Sequence, residues 1–317
     1  MSEIIAVLRT EYGIIADEIT PATGGWSAAA YKVESKQGRY FLKEYDKKRI
    51  GTAIQLEKLD LCMKAAAWLE NNTGLKSRIN APLLTLNGNI RAETQNYAYL
   101  LFVYIDGITP RETPLSLQQQ KEIAAITGEL HRYGADIPLD FSSVKETFEI
   151  PCDELIKMPG KPKDPLCLSK HYNMLMFAIN WAKEMALNVK SADLPFVLCH
   201  TDIHGWNLMQ SDRLILIDWE SIKLAPAEAD LYTFWGDWYW GDFKWGSYWD
   251  TFLPIYQKLH PEYIFRKEVL MFYQIRRHIE DINEFYREYI YDDITEEVSR
   301  EIINNLKREC SFLSTLV

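Results

Sequence analysis

One stretch constrains this chain more than any other: FVLCHTDIHGWNLMQSDRLILIDWE, residues 196–220. An apolar run ends at Cys199 and delivers a polar loop carrying His200, Asp202, His204 and Asn207. A second apolar run, 214–217, ends in Asp218 and Trp219. A carboxylate set at the end of an apolar strand is expensive unless it meets a cation. Asn207 and Asp218 offer a neutral and an anionic oxygen, the ligand types that Mg²⁺ takes together with bound phosphate. Asp202, five residues before Asn207, is placed to accept a proton from an attacking hydroxyl.

This is the layout of kinase catalytic loops, in which an Asp faces the acceptor while an Asn and a later Asp hold the metal ions. A lone HxD carries little weight; HxDxxxxN followed by an apolar strand and Asp-Trp is specific. Two other readings compete. His200, Asp202 and His204 suit a zinc or di-metal hydrolase cluster, but that leaves Asn207, Asp218 and the first third of the chain without a role. The loop also reads as a polar turn with hydrogen-bonded side chains.

With these residues in view, the chain resembles the aminoglycoside phosphotransferases and their choline-kinase and homoserine-kinase relatives, nearest to the spectinomycin phosphotransferase branch. The likeness rests on VLCHTDIHGWNL (197–208), LILIDWE (214–220) and LAPAEADL (224–231), with weaker support from EYGI at 11–14, YFLK at 40–43 and IEDI at 279–282. It implies an α+β, two-lobed, protein-kinase-like fold with ATP and Mg²⁺ as cofactors. It also implies Asp202 as catalytic base, His200 as a loop-ordering residue, Asn207 and Asp218 as metal ligands, and Asp230 as a carboxylate bracing the loop. His204 would take an orienting role.

A kinase needs a strand lysine reaching the nucleotide phosphates and held by a helix glutamate. Lys43 ends the strand pattern Tyr40-Phe41-Leu42 and is the candidate. Its partner is Glu57 or, almost one turn on, Asp60; the two lie on nearly the same helix face. Thr23-Gly24-Gly25-Trp26-Ser27 stands where a phosphate-covering loop belongs, and Gly24 and Gly25 permit close backbone approach, although a plain hairpin would use them equally well. By the resemblance, LLFVYIDG (100–107) is a hinge whose backbone at Val103 and Ile105 pairs with the adenine edge.

Only a handful of residues separate Asp218-Trp219 from Ala225-Pro226, which leaves little chain for a peptide-docking segment and favours a small-molecule acceptor. Residues 232–249 hold ten aromatics in 18 positions, interleaved with Asp237 and Asp242. Such a run suits an ammonium or amino-sugar through cation–π and charge terms of roughly 0.5–2 kcal/mol per contact. Trp235, Asp237, Trp238 and Trp240 are the candidate acceptor residues for an aminocyclitol such as spectinomycin, or for choline; homoserine and other metabolites stay open. Aromatic-rich segments equally serve as packing. Arg276, Arg277, Glu280 and Asp281 on a later helix are further candidates. A catalytically silent, kinase-shaped binding or coat-associated protein is the reading from another class, and the presence together of Lys43, Asp202, Asn207 and Asp218 weighs against it.

The organisation agrees. Residues 2–12, 52–70, 117–133, 168–189, 250–259, 264–290 and 295–314 have helical periodicity, and 27–34, 39–45, 82–86 and 96–105 have strand character, with an Asn87-Gly88 turn between the last two. The Pro- and Lys-rich 158–165 reads as a solvated connection. A strand-rich first third followed by helices is an α+β pattern. The expected division is a nucleotide-binding lobe at 1–105, a hinge about 102–107, and a helical lobe at 106–317 with the catalytic loop 198–220. At 317 residues the chain exceeds one compact core. A net charge of −10 argues against nucleic acid as partner and is compatible with a cationic acceptor. Five unpatterned cysteines, a charged N-terminal segment and the lack of a roughly 20-residue apolar run lead us to expect a reducing, cytoplasmic setting with no membrane partner.

Overall fold

The computed structural model describes residues 1–22, 28–111, 113–134, 137–158, 166–235, 239–240, 243–244 and 248–317, without the side chains of 50, 166–167, 239–240 and 243–244. Gly24 and Gly25, the connection 159–165, and Asp237, Trp238 and Asp242 lie outside the described residues.

In chain order the elements are α1 (Ser2–Glu11), β1 (Ala16–Ala22), β2 (Ala29–Ser35), β3 (Gly38–Asp46), α2 (Ile50–Asn72), β4 (Ala92–Glu93), β5 (Tyr97–Val103), α3 (Leu117–Leu130), α4 (Asp153–Ile156) and α5 (Leu166–Ser191). There follow β6 (Phe196–Cys199), β7 (Leu208–Gln210), β8 (Leu214–Leu216), β9 (Lys223–Pro226), α6 (Glu228–Leu231), β10 (Tyr239–Trp240), β11 (Phe243–Lys244), α7 (Trp249–Leu259), α8 (Lys267–Tyr291) and α9 (Glu296–Leu316). They form two compact units, each discontinuous in sequence: Met1–Arg111 with Ala135–Val144 and Gly205–Ile222, and Glu112–Gly134 with Lys145–His204 and Lys223–Val317. The α+β class is as expected.

The first unit is built on an antiparallel sheet of order β1-β2-β3-β5-β4. Side chains alternate across a strand, and β3 uses both faces. Leu42 joins Val33, Tyr99, Leu101 and the α1 residues Ile4, Val7 and Leu8 in one apolar cluster. Lys43 and Tyr45 therefore face the other way, and both are buried. One strand was not expected from the sequence, and one strand expectation is corrected. Residues 16–22 form an edge strand that the period did not reveal, because none of the seven is fully buried and Pro21 stands among them. Residues 82–86 make a single bridge, Leu83 to Leu101, and the partner of β5 on that side is β4.

The hairpin β7–β8 belongs to this unit. Ile108 and Gln210 exchange both backbone hydrogen bonds at 2.9 Å, and Leu216 donates its N–H to the Arg78 carbonyl at 2.8 Å. The loop after β5 is thus stitched to the hairpin that carries Asn207 and Asp218.

In the second unit, α5, α8 and α9 share a core of Leu175, Ile179, Ala182, Ile275, Ile279, Ile282, Tyr286, Ile302 and Leu306. These positions recur at helical spacing, as an apolar stripe on each helix requires. α3 starts with a capping box of Ser116 and Gln119. Beside this, β6 pairs antiparallel with β9, Leu198 opposite Leu224. Among the described residues no helix is long and apolar enough to cross a membrane.

A Cβ at Gly107 would lie 2.7 Å from the Gln210 carbonyl oxygen and 2.8 Å from Met209 Cγ. Backbone cannot yield there as a side-chain tip can, so G107A should lower stability by about 1–3 kcal/mol, as overpacking does. A urea midpoint equal to that of the unaltered protein would show that the Ile108–Gln210 contact is not the tight junction described.

Candidate active site

The first unit carries a buried ionic cluster. Lys43 Nζ lies 2.9 Å from Asp218 Oδ1 and 2.5 Å from Glu220 Oε1. Glu220 also accepts from the Tyr45 hydroxyl and the Gln55 side-chain amide. The fold dictates this meeting. Lys43 and Tyr45 share one face of β3, and Gln55 comes from α2. In the hairpin, Leu208 pairs with Leu216, and Ile217 donates to the Asn207 carbonyl at 2.9 Å. Asn207, entering β7, and Asp218, leaving β8, therefore stand at the same open end. Asp218 is in the left-handed region, φ 67° and ψ 61°, a conformation that costs a non-glycine residue about 1–2 kcal/mol and turns the chain sharply off the strand.

One ammonium here serves two carboxylates. Burial alone would discharge Lys43; the charges of Asp218 and Glu220 reverse this and raise its pKa above the usual lysine value. Burial, with the Asp218 charge adding to it, pushes the Glu220 carboxyl up to about 7, although Lys43 and Tyr45 pull the other way.

In the second unit the loop after β6 hangs on Asp230. This fully buried carboxylate accepts the N–H of His200 (2.9 Å) and of Thr201 (2.6 Å), while His131 Nε2 lies 3.0 Å away. His131 Nδ1 in turn meets the Tyr256 hydroxyl at 2.8 Å. Thr201 is held at φ 66°, a strain of the kind that persists only where surrounding bonds over-determine it. Asp202 donates its own N–H to His200 Nδ1 at 3.3 Å, so His200 shapes the loop from inside. The Asp202 carboxylate faces two basic side chains through the same oxygen, Arg277 Nη1 at 3.0 Å and His204 Nε2 at 3.3 Å. Burial would raise its pKa; the His204 and Arg277 charges overcome this and hold it far below the usual carboxylate range.

A guanidinium on Asp202 tells against a divalent cation bound by His200, Asp202 and His204. Among the described residues, the group that sits close enough to ligate is a different one, His131, Cys199 and Asp230. Asp230 is already taken by three donors, and burial raises the Cys199 thiol well above its ordinary value, so the group reads as a hydrogen-bonded brace.

One unit thus holds a buried strand lysine ion-paired to the carboxylate of an Asn…Asp hairpin, and the other holds a braced loop presenting an aspartate, residue types that phosphoryl transfer uses. The sequence pattern of the phosphotransferase enzyme family matches residues 18–264. The chain belongs to that family.

No curated protein matches this phosphotransferase. Among solved structures it is similar to a spectinomycin phosphotransferase in complex with ADP and spectinomycin, with a TM-score of 0.73 and 19% identity over 100% of this chain and 98% of that one. It is also similar to a microcompartment-associated aminopropanol kinase (TM-score 0.63, 12% identity, 99% and 98% covered). A Plasmodium vivax ethanolamine kinase is a third (TM-score 0.58, 16% identity, 95% and 84% covered). The shared feature is the kinase-like α+β fold.

Of the residues singled out in the sequence of this phosphotransferase, Lys43 and Asp218 are brought together and Asn207 joins Asp218 at the hairpin end. Glu57 is not brought to Lys43. It is exposed, because residues two apart on a helix point in opposed directions and Gln55 takes the inward one. Asp60 pairs instead with Arg91 at 2.9 Å. The carboxylate on Lys43 is Glu220, and its signal was present in the sequence as the third residue of Asp218-Trp219-Glu220. Val103 ends β5, exposed, with its carbonyl accepting from the Asn80 side chain at 3.3 Å; Ile105 follows, half-buried. Trp235 is half-buried and tilted against Phe265, ring centroids 6.1 Å apart. Trp240 pairs through its backbone with Phe243. Other aromatics of the 232–249 run pack: Phe234 stacks on Phe252 at 4.1 Å, and Tyr248 receives the Leu115 N–H on its hydroxyl at 2.8 Å.

Removing Lys43 leaves the buried Glu220 carboxylate facing the partly exposed Asp218 carboxylate, so K43M should cost up to about 3 kcal/mol of stability, the lower end for a broken buried pair. Adding E220Q to K43M should restore part of that loss, because the pair is coupled. Strictly additive losses in urea titrations at neutral pH would contradict the shared cluster.

Proposed function

We propose that this phosphotransferase moves the γ-phosphoryl group of ATP to a hydroxyl of a small amine-bearing molecule. The observation that carries the reading is the buried Lys43–Asp218 pair, which joins the phosphate-side lysine to the metal-side aspartate. In this reading Lys43 steadies the nucleotide phosphates and Glu220 holds Lys43. Gly24 and Gly25 cover the phosphates, and backbone at Val103 and Ile105 takes the adenine edge, so that 1–105 is the nucleotide lobe, 102–107 the hinge and 106–317 the acceptor lobe.

Asn207 and Asp218 would hold Mg²⁺. The donor set suits it: a buried amide and a half-exposed carboxylate at one hairpin end are hard oxygens that leave room for phosphate oxygens and water. When bound, the ion neutralises charge on the β- and γ-phosphates. Asp202, ionised and fixed, accepts the hydrogen bond of the acceptor hydroxyl, aligns its oxygen and takes its proton as the phosphoryl group transfers. His200 keeps the loop in the conformation that presents Asp202.

For the acceptor class, the similar structures named for spectinomycin, aminopropanol and ethanolamine chemistry share amine-bearing alcohols. A net charge of −10 favours such cations over anions. Trp235, Asp237, Trp238 and Trp240 are the residues we assign to it. The use of ATP and the buried thiols of Cys62, Cys152, Cys199 and Cys310, none of them in a disulfide, suit a cytoplasmic setting.

The test is Mg-ATP-dependent phosphate transfer to a panel of spectinomycin, other aminoglycosides, choline, ethanolamine, aminopropanol and homoserine. One acceptor should turn over, and D202A should lose about 10²–10⁴-fold in kcat, the usual worth of a positioned acid–base group. Wild-type turnover by D202A would refute the role of Asp202. Nucleotide binding without transfer to any acceptor would favour the catalytically silent reading.

A further inference from the structure

Arg277, in the middle of α8, spans two carboxylates. Its Nη1 lies 3.0 Å from Asp202 Oδ1, and its Nε lies 3.0 Å from Asp281 Oδ2 one turn further along the helix. Its side chain is only 23% exposed. Burying a guanidinium with two carboxylates is costly, and apolar packing of similar volume is often as stable. Here the costly arrangement falls on the one carboxylate assigned to the reacting hydroxyl. A structural clamp between α8 and the loop has no need to engage that group.

We propose that Arg277 is a positioning residue that locks the Asp202 carboxylate in one orientation as hydrogen-bond acceptor for the substrate hydroxyl. This rests on the reading of Asp202 given above and goes beyond it by naming what sets that carboxylate.

The surroundings agree with the assignment. From the loop, His200 and His204 face Asp202; from the helical side come Arg277 and Tyr232, with Glu280 and Asp281 beside Arg277 and Glu309 of α9 behind Asp281. Glu309 is itself paired with His278 at 2.8 Å. Burial, with Glu309 and Glu280 adding to it, pushes the Asp281 carboxyl up to about 8 even though Arg277 touches it. Of the two carboxylates on the guanidinium, Asp202 is the one whose ionised form the surroundings favour more strongly. A carboxylate so held is a weak base, which suits a loose phosphoryl-transfer transition state in which the attacking hydroxyl is aligned first and loses its proton late. The sign for pH follows. Asp202 has a depressed folded pKa, so its ionised form persists well below the ordinary carboxylate range, and loss of Arg277 moves its titration upward.

The experiment uses the full chain with ¹³C-labelled aspartate, the Asp202 carboxyl being assigned by its loss in D202N. In the unaltered protein that resonance should stay ionised down to pH 4, and in R277M its midpoint should rise by at least about one unit, a tenfold change in proton affinity. On the acceptor that turns over, R277M should lower kcat by roughly 10–100-fold, the effect of a misplaced reacting group. Its KM for ATP should stay within about twofold, and the acid limb of its kcat profile should move to higher pH. R277K, which keeps the charge and loses the fork that reaches both carboxylates, should retain the low Asp202 titration and recover part of kcat. It also stands in for R277M if that variant does not fold: lost kcat with the low titration retained supports the proposal, and wild-type kcat overturns it. An unchanged Asp202 titration or kcat in folded R277M also overturns it. Absence of turnover by the unaltered protein on every acceptor would refute the reading of Asp202 instead, and the titration would still decide whether Arg277 sets that carboxylate.

Discussion

A carboxylate withdrawn from water must be met by a cation or by several donors, and three carboxylates of one stretch meet that demand in three ways. Asp218 has the ammonium of Lys43. Asp202 has the guanidinium of Arg277 with His204. Asp230 has two backbone N–H groups and His131. Each solution recruits a distant part of the chain: β3 for the first, α8 for the second and the end of α3 for the third. The elements that surround the motif are positioned by these charges as much as by apolar burial. Hydrophobic stripes bring helices together but do not specify which side chain reaches which loop atom.

Strain and bracing occur together. Thr201 and Asp218 both sit in the left-handed region, where a residue with a Cβ is disfavoured. Thr201 is kept there by the 2.6 Å bond of its N–H to Asp230. Asp218 sits at the end of β8, where its carboxylate meets Lys43 and its neighbour Trp219 is buried, its indole N–H donating to the Leu216 carbonyl at 2.9 Å. Backbone pinned in this way changes direction within one residue. A short strand can then end in a side chain that reaches its partner instead of running on across the surface.

Much of this was legible in the sequence, and the rest was not for physical reasons. Asp202, Asn207 and Asp218 stood out because apolar runs isolate polar residues that must find partners, and Lys43 followed from a strand period. Glu57 misled because helix periodicity says which residues share a face and not which face turns inward; Gln55 takes the inward position. Glu220 was readable only as a second carboxylate beside Asp218, a signal that acquires meaning once one ammonium is seen to serve both. β1 was hidden because an edge strand with one exposed face and a proline lacks the alternation of a central strand. Arg277 appeared as one of several charges on a helix, and no pattern local to α8 says that it reaches the loop after β6.

The division between what is braced and what is left to vary bears on the choice of acceptor. The atoms that position Asp202, Asn207 and Asp218 are largely backbone groups and buried side chains with their hydrogen bonds taken. Of the aromatic run 232–249, Phe234 and Tyr248 are committed to packing, whereas Trp235 is half-buried at the edge of that packing. Substitution at such an edge changes shape and polarity without releasing a buried charge. One fold can hold its chemistry constant while the accepted molecule changes. Arg277 stands on the braced side of that division: it rises from α8, whose apolar stripe is part of the second unit's core, and its guanidinium meets the Asp202 carboxylate at 3.0 Å.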